Sequence, residues 1–271
     1  MTTATRPVSS ADAAGRAFSA PVIVLAPVYS GASAIRSLLE GHPELACTMG
    51  TGVLPLCEQA MFAWGNADGR PGHPPSSLAR STTRALAASV ISSILIREGK
   101  SRWCEVAAAN PEAAGAFLQL YPGTRFLCLY RACPGVIRAA LDESPWGLTD
   151  PVFAPFVRTY PASTAAALTA CWNTQVSALL AFEQAHPEEC LRVRFEDLTA
   201  DGSPTAEQVT SFLGLTSPGP GAIFDGPSQP RPEIPEPGPV TGLPDGLLPP
   251  GLRTQAGDLL KQLGYPPMTG A

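Results

Sequence analysis

Residues 26–33 read Ala-Pro-Val-Tyr-Ser-Gly-Ala-Ser, small and turn-forming residues at the point where an apolar run (21–27, PVIVLAP) gives way to a helical pattern. A strand-to-helix turn of this composition aims several backbone N–H groups at one point, beside the positive end of the helix dipole. Such a turn can hold phosphate or sulfate. It is not a Walker A loop, because it has neither the Gly-x-x-x-x-Gly-Lys-Ser/Thr spacing nor any lysine. A plain tight turn would use the same residues, so the chemistry rests on what stands nearby. A second apolar run (125–130, RFLCLY) ends at Arg131. An arginine just after a buried strand lies at the carboxyl edge of a sheet, where open α/β folds place their ligands; a surface arginine at a strand end is the alternative.

The candidates for a general base are Glu58, His42, His73 and Glu105, and geometry decides among them. His42 stands in a Gly-His-Pro helix stop, a setting that also suits packing or capping. His73 lies in a Gly/Pro/Asp-rich linker (66–75), Glu58 early in a helix, and Glu105 near the end of a buried strand, where an enclosed carboxylate needs partners. Trp103, Trp146 and Trp172 read as core or cleft-wall residues. Glu196 and Asp197 read as holding a local turn through backbone hydrogen bonds.

These residues need a frame, and the apolar periodicity supplies one. Residues 21–27 are short, apolar and β-branched between prolines, which predicts a strand buried on both faces. Ser33 is placed to cap the following helix, where Ile35, Leu38 and Leu39 recur at helical spacing before Gly41, His42 and Pro43 stop it. Further helices are predicted over 51–64, 78–98, 111–120, 134–141 and 162–183, and further strands over 102–106, 125–130 and 190–194. A helix capped by Ser203, with Pro204 at its first position, and a last amphipathic helix over 252–263 complete the pattern. Strands alternating with helices predict an α/β fold with a central parallel sheet and helices on both faces. Residues 216–250 hold 11 of the 30 prolines and predict an irregular, extended excursion.

In this order the landmarks resemble the bacterial branch of the sulfotransferase family, from about residue 21 to the end. That family has a Pro-(Arg/Lys)-Ser-Gly-Thr-(Thr/Ser) loop and a helix ending near His-Pro; this chain has Val28-Tyr-Ser-Gly-Ala-Ser33 and then Gly41-His-Pro43. A strand ending in arginine, then proline and a helix, appears as Arg125-Phe-Leu-Cys-Leu-Tyr-Arg-Ala-Cys-Pro134. The late Arg-(Tyr/Phe)-Glu-Asp-Leu and Phe-Leu-Gly stretches appear as Arg194-Phe-Glu-Asp-Leu198 and Phe212-Leu-Gly214, and Leu263-Gly-Tyr-Pro266 is similar to the family's closing segment.

The resemblance implies a P-loop-like three-layer sandwich. It also implies transfer of a sulfuryl group from 3'-phosphoadenosine 5'-phosphosulfate to a hydroxyl or amine, without a metal. By the same resemblance Ser30, Gly31, Ala32 and Ser33 cradle the 5'-phosphosulfate, and Arg131 holds the 3'-phosphate, with Arg138 and Ala139 beside it. Glu58 faces the acceptor cleft. The chain departs from the pattern at four places: Tyr29 replaces the loop cation, Ala32 the first loop threonine, Ala139 the helix serine near the 3'-phosphate, and Val106, beside Glu105, a basic residue after the third strand's acid. Tyr29 is then either a neutral hydrogen-bond donor standing in for the cation or a wall of an altered site. Arg36 and Arg138 are candidate replacement cations, and solvated helix residues otherwise. A changed donor and a non-catalytic nucleotide-binding scaffold are the rival readings; a kinase lacks its Walker lysine and a clear magnesium-binding pair.

Composition sets outer bounds. The 271 residues, 45% hydrophobic, are enough for one large domain, expected over 19–271 behind a disordered leader at 1–18 that lacks the apolar core of a signal peptide. Charged residues are only 15% and the net charge is -5, without a basic run, which predicts no nucleic-acid or membrane partner; the small-molecule acceptor is what the resemblance implies. Seven scattered cysteines without a Cys-x-x-Cys pair argue against a disulfide framework or zinc site and for free thiols in a reduced cytoplasm. Cys47, Cys104, Cys128 and Cys190 lie in apolar, strand-like runs. By this reading no stretch reaches the roughly 20 apolar residues needed to span a bilayer.

Overall fold

Val22, Ile23 and Val24 restrict the chain to extended backbone, and the strand they begin, β1 (Val22–Ala26), is buried over its whole length. The computed structural model describes residues 20–67, 76–144, 147–200, 202–215 and 247–267. The expected leader, the irregular segment up to residue 246, His73 and Trp146 lie outside them.

From β1 the chain runs through α1 (Ala32–Glu40), β2 (Leu45–Met49), α2 (Val53–Ala67), α3 (Ser77–Glu98), β3 (Arg102–Ala108), α4 (Pro111–Leu120) and β4 (Arg125–Tyr130). It continues through α5 (Cys133–Glu143), a single 3-10 turn (Pro151–Phe153), α6 (Ala154–Thr159), α7 (Thr164–Ala185) and β5 (Cys190–Arg194). It ends with α8 (Phe195–Ala200), α9 (Gly202–Leu213) and α10 (Pro250–Gln262).

The five strands form one parallel sheet in the order β2-β3-β1-β4-β5. Parallel strands need crossovers, and the helices supply them on both faces. Successive side chains of a strand point to opposite faces. Ile23, Leu25, Phe126, Cys128 and Tyr130 therefore meet one core, closed by α2, α3, α4, α5, α7 and α10. Val22, Val24, Cys104, Leu127 and Leu129 meet the other, closed by α1, α8 and α9. The expected three-layer α/β fold with a parallel sheet is what forms.

Four local expectations are corrected. Leu45–Met49, the strand-like run around Cys47 that the predicted strands omit, is an edge strand. Ser33 does not cap α1: Gly31 occupies that position in a left-handed conformation with no side-chain hydrogen bond. Helix α9 begins at Gly202, ahead of the expected cap Ser203. Finally, α7 is long and apolar enough to cross a membrane by length and composition, but two-thirds of that stretch is buried inside the protein. A helix apolar on all sides is what a core position between two layers requires.

Turning to the amino edge of the sheet, Arg102 opens β3 almost fully buried. Its Nε donates to Ala20 O at 2.6 Å and its Nη1 to Leu213 O at 2.5 Å, tying α9 to the sheet. Arg102→Ala leaves both carbonyls without their charged donor and is expected to cost about 2–4 kcal/mol. Urea unfolding should show a lower midpoint at an unchanged slope.

Candidate active site

The loop after β1 is shaped by two left-handed residues. Ser30 N donates to Pro27 O at 3.1 Å, Tyr29 has φ 58° and Gly31 has φ 93°. Gly31 is required twice over. Its φ disfavours a side chain, and a Cβ there would come within 2.2 Å of Phe195 Cδ2. Gly31 O accepts the amides of Ala34 and Ile35, while no side chain caps the helix, so the first amides of α1 lack an intrahelical acceptor and face the loop. Ser30 Oγ is in the same turn, 1% exposed and without a hydrogen-bond partner among the described residues. A buried hydroxyl left unpaired is costly unless something outside the protein completes it.

Arg131 stands at the end of β4, next to β1 in the sheet. Its Nη1 donates to Tyr29 O at 3.1 Å, and its guanidinium carbon lies 4.2 Å over the ring of Phe195. Burial pulls its pKa below the ordinary arginine value, and Glu196 and Glu143 partly offset this; an arginine stays charged through such a shift. Glu196 works at the same place. Its Oε1 accepts Ala132 N at 2.9 Å and its Oε2 accepts the Tyr265 hydroxyl at 2.6 Å, while Trp172 Nε1 donates to Arg131 O at 3.0 Å. The expected local role of Glu196 is thus corrected: its carboxylate reaches across to the end of β4. Asp197 pairs with Arg194 at 3.3 Å.

The Tyr29 side chain turns from the loop's amides toward the end of α5. Its hydroxyl is 2.8 Å from Ser144 Oγ, and its ring stacks on Phe153 with centroids 6.0 Å apart. The Tyr29 ring and hydroxyl are thus held by the 3-10 turn and the residue after α5.

The base candidates separate cleanly. Asn110 Nδ2 donates to Glu58 Oε2 at 3.3 Å, and Ala109 N donates to Ala26 O at 3.1 Å, so Glu58 stands at the same sheet edge as the loop. Glu105 is 2% exposed; it accepts Thr48 Oγ1 at 2.5 Å, Thr51 N at 2.8 Å and Thr51 Oγ1 at 3.0 Å, a structural tie between β3 and the start of α2. His42 is corrected as a catalytic candidate. It is 1% exposed between the end of α1 and the start of β2, at the opposite edge of the sheet from the loop, with Nδ1 accepting Glu44 N at 3.2 Å.

Among the implied nucleotide contacts, Ala32 and Ser33 open α1, with Ser33 exposed. Ala139 is buried in α5, and Arg138 is exposed beside it. Arg36 points along α1 to Glu40 at 3.3 Å, away from the loop, and so does not replace the missing cation.

A family model described as the sulfotransferase family matches residues 21–218. The chain belongs to the sulfotransferase family. A curated relative from Caenorhabditis briggsae, whose name gives it as a putative protein-tyrosine sulfotransferase, is 23% identical over 192 residues. That match covers 69% of this chain and 62% of the relative, so the chain spans less than two-thirds of that protein. Two solved structures share the fold at low identity. The sulfotransferase domain of the Synechococcus PCC 7002 olefin synthase is 16% identical, with TM-score 0.53, covering 92% of this chain and 95% of its own. A sulfotransferase from Mycobacterium avium is 11% identical, with TM-score 0.57, covering 96% and 81%.

Within this sulfotransferase fold, Phe195, Ser144, Phe153, Gln175 and Tyr265 join the site although residue type and spacing assign them no part in it. Phe195 carries a signal, its place in the Arg-Phe-Glu-Asp-Leu stretch; Ser144 and Phe153 carry none, because their contact with Tyr29 depends on how α5 ends. Gly31→Ala is expected to destabilise the fold by about 3 kcal/mol, combining a left-handed alanine with a clash against Phe195. Chemical denaturation should show that loss, and Phe195→Ala combined with it should recover part of it by removing the clash.

Proposed function

We propose that this protein moves a sulfuryl group from 3'-phosphoadenosine 5'-phosphosulfate to a hydroxyl or amine of a small-molecule, natural-product type acceptor. The observation that carries the reading is the buried, unpartnered Ser30 Oγ in the turn that also presents the free amides of α1, with the Arg131 guanidinium bonded to the same loop. A hydroxyl, backbone amides and a fixed cation are what an anionic phosphosulfate requires.

In this proposal Ser30, Gly31, Ala32 and Ser33 hold the 5' end of the donor, and Arg131 answers its 3'-phosphate. Glu58, at the same edge, takes the acceptor's proton as its oxygen or nitrogen bonds to sulfur; the sulfur–oxygen bond to the 5'-phosphate breaks, and adenosine 3',5'-bisphosphate leaves. Tyr29 shapes the cleft wall, so charge on the leaving oxygen falls to the loop amides and the α1 dipole. A small-molecule acceptor is in keeping with the low charge content and net charge of -5, since the sequence holds no basic run for an acidic peptide or a nucleic acid. A reducing, cytoplasmic setting suits the seven free thiols.

Adenosine 3',5'-bisphosphate should raise the melting temperature of the protein in proportion to its binding, because a ligand of the native state stabilises it. Arg131→Ala should weaken that binding by about 2–4 kcal/mol. No shift at millimolar nucleotide would reject the donor and favour a changed one.

For the chemical step, Glu58→Gln keeps the side chain's shape and its reach to Asn110 while removing the base. Turnover, followed by mass spectrometry of the sulfated acceptor, should fall by about 100-fold or more with the nucleotide dissociation constant unchanged. An undiminished rate would remove Glu58 from the mechanism.

A further inference from the structure

Helix α7 touches both halves of the anion site, and it does so through side chains one turn apart. Pro27 has no N–H and Ser30 N is taken by Pro27 O, while the amide of Val28 opens the loop just after β1. It donates to Gln175 Oε1 at 3.1 Å, across 147 residues of sequence. Three residues earlier on the same helix, Trp172 Nε1 donates to Arg131 O at 3.0 Å. Arg131 in turn donates from Nη1 to Tyr29 O at 3.1 Å. The contacts close a ring: Gln175 to Val28, Val28 to Tyr29 along the chain, Tyr29 to Arg131, Arg131 to Trp172, and Trp172 back to Gln175 along α7.

Residues three apart on a helix lie on one face at a fixed separation. The ring therefore fixes the distance between the loop and the backbone that carries the guanidinium. Trp172 is fully buried, and α7 is further held by Asn173 Nδ2, which donates to Leu252 O at 3.3 Å and Gln255 Oε1 at 3.2 Å on α10. Gln175 is only half-buried, so core packing does not account for an amide side chain there.

We propose that Gln175 is a positioning residue for the phosphate-binding loop, setting the pose of residues 28–31 relative to Arg131. The inference rests on the sulfotransferase reading for its functional consequence, although not for its geometry. Its side-chain carbonyl accepts the loop's amide; no contact with donor or acceptor is assigned to it. A substitution that keeps an acceptor should keep the loop, and one that removes it should free the loop without unfolding the sheet.

The experiment compares the whole chain with its Gln175→Leu and Gln175→Glu variants by amide hydrogen exchange and by titration with adenosine 3',5'-bisphosphate. In Gln175→Leu, exchange at Val28 and the following loop amides should quicken about tenfold, the β1 and β4 amides should keep their protection, and the nucleotide should bind about five- to tenfold more weakly. In Gln175→Glu, which retains an acceptor for Val28 N, loop exchange should return to the parent level. Unchanged loop exchange in Gln175→Leu overturns the proposal. So does faster exchange with an unaltered nucleotide dissociation constant, since Gln175 would then be a structural tie only. If the parent chain binds no nucleotide, the proposed donor fails, while the exchange comparison still decides whether Gln175 holds the loop.

Discussion

The ring of Phe195 is the fixed point of the carboxyl edge of the sheet. Tyr130 pairs with Arg194 across β4 and β5, so the residue after β5 is brought beside the residue after β4. Phe195 thereby lies against the Arg131 guanidinium on one side and fills the space of a Gly31 side chain on the other. A planar aromatic suits both demands. Its face attracts a cation, and its rigid edge sets how near the loop backbone approaches. Glu196, the next residue, holds the amide of Ala132 and the hydroxyl of Tyr265. Two consecutive residues after β5 thus order the end of its neighbour β4, the loop after β1 and the closing segment of the chain. The sheet register transmits this order, because a slip of one residue would turn both side chains to the wrong face.

The electrostatics of the edge are sparse. Arg192 is committed to Glu183 at 2.7 Å, Arg194 to Asp197, and Arg36 to Glu40. Arg131 faces the loop instead, bonded to a backbone carbonyl and stacked on an apolar ring, with its donors only partly used. Beside it stands α1, whose amino end carries the equivalent of about half a positive charge. These two sources are modest, but neither is surrounded by open water, and a charge at a half-buried edge acts through a lower dielectric than one on the surface. An acidic chain can hold an anion at such a place because recognition is local.

The parts legible in the sequence are those fixed by local chemistry. Strands β1, β4 and β5 declare themselves by apolar runs, α4 by its helical pattern from Pro111, and the loop by its small residues. The edge strand β2 does not, because Cys47 and Thr48 are half-buried, Met49 is exposed, and the three lack a consistent face. Ser33 looks like a cap because serine before an apolar-periodic helix usually is one; here the closeness of Phe195 demands a glycine earlier in the turn, and the cap position follows the glycine. His42 and Glu105 could not be told from Glu58 by residue type. Topology separates them, since one edge of a parallel sheet carries the loop and His42 belongs to the other, while Thr48 and Thr51 saturate Glu105. Contacts such as Tyr29 with Ser144 and Gln175 with Val28 join residues more than a hundred positions apart, and no periodicity encodes them.

The pose of Tyr29 and the grip of Arg131 on the loop belong together. A lysine or arginine in the loop would carry charge to an anion from within a flexible turn. With Tyr29 there, the hydroxyl and ring instead pin the turn to Ser144 and Phe153, and a guanidinium bonded to the turn comes from the residue after the neighbouring strand. That arrangement makes the loop's conformation and its electrostatics one variable, because Arg131 reaches the site by bonding the carbonyl of Tyr29. If the loop shifts, the cation loses its tether; if the guanidinium is drawn to a ligand, the strain falls on a left-handed tyrosine. The interactions that limit such motion are those outside the pair: Phe195 beneath the guanidinium, Glu196 on the adjacent amide, and α7 holding both backbones. A site that draws its charge from Arg131 without a loop cation therefore depends on rigidity around it more than a site with both, and the buried hydrogen bonds of this edge supply that rigidity.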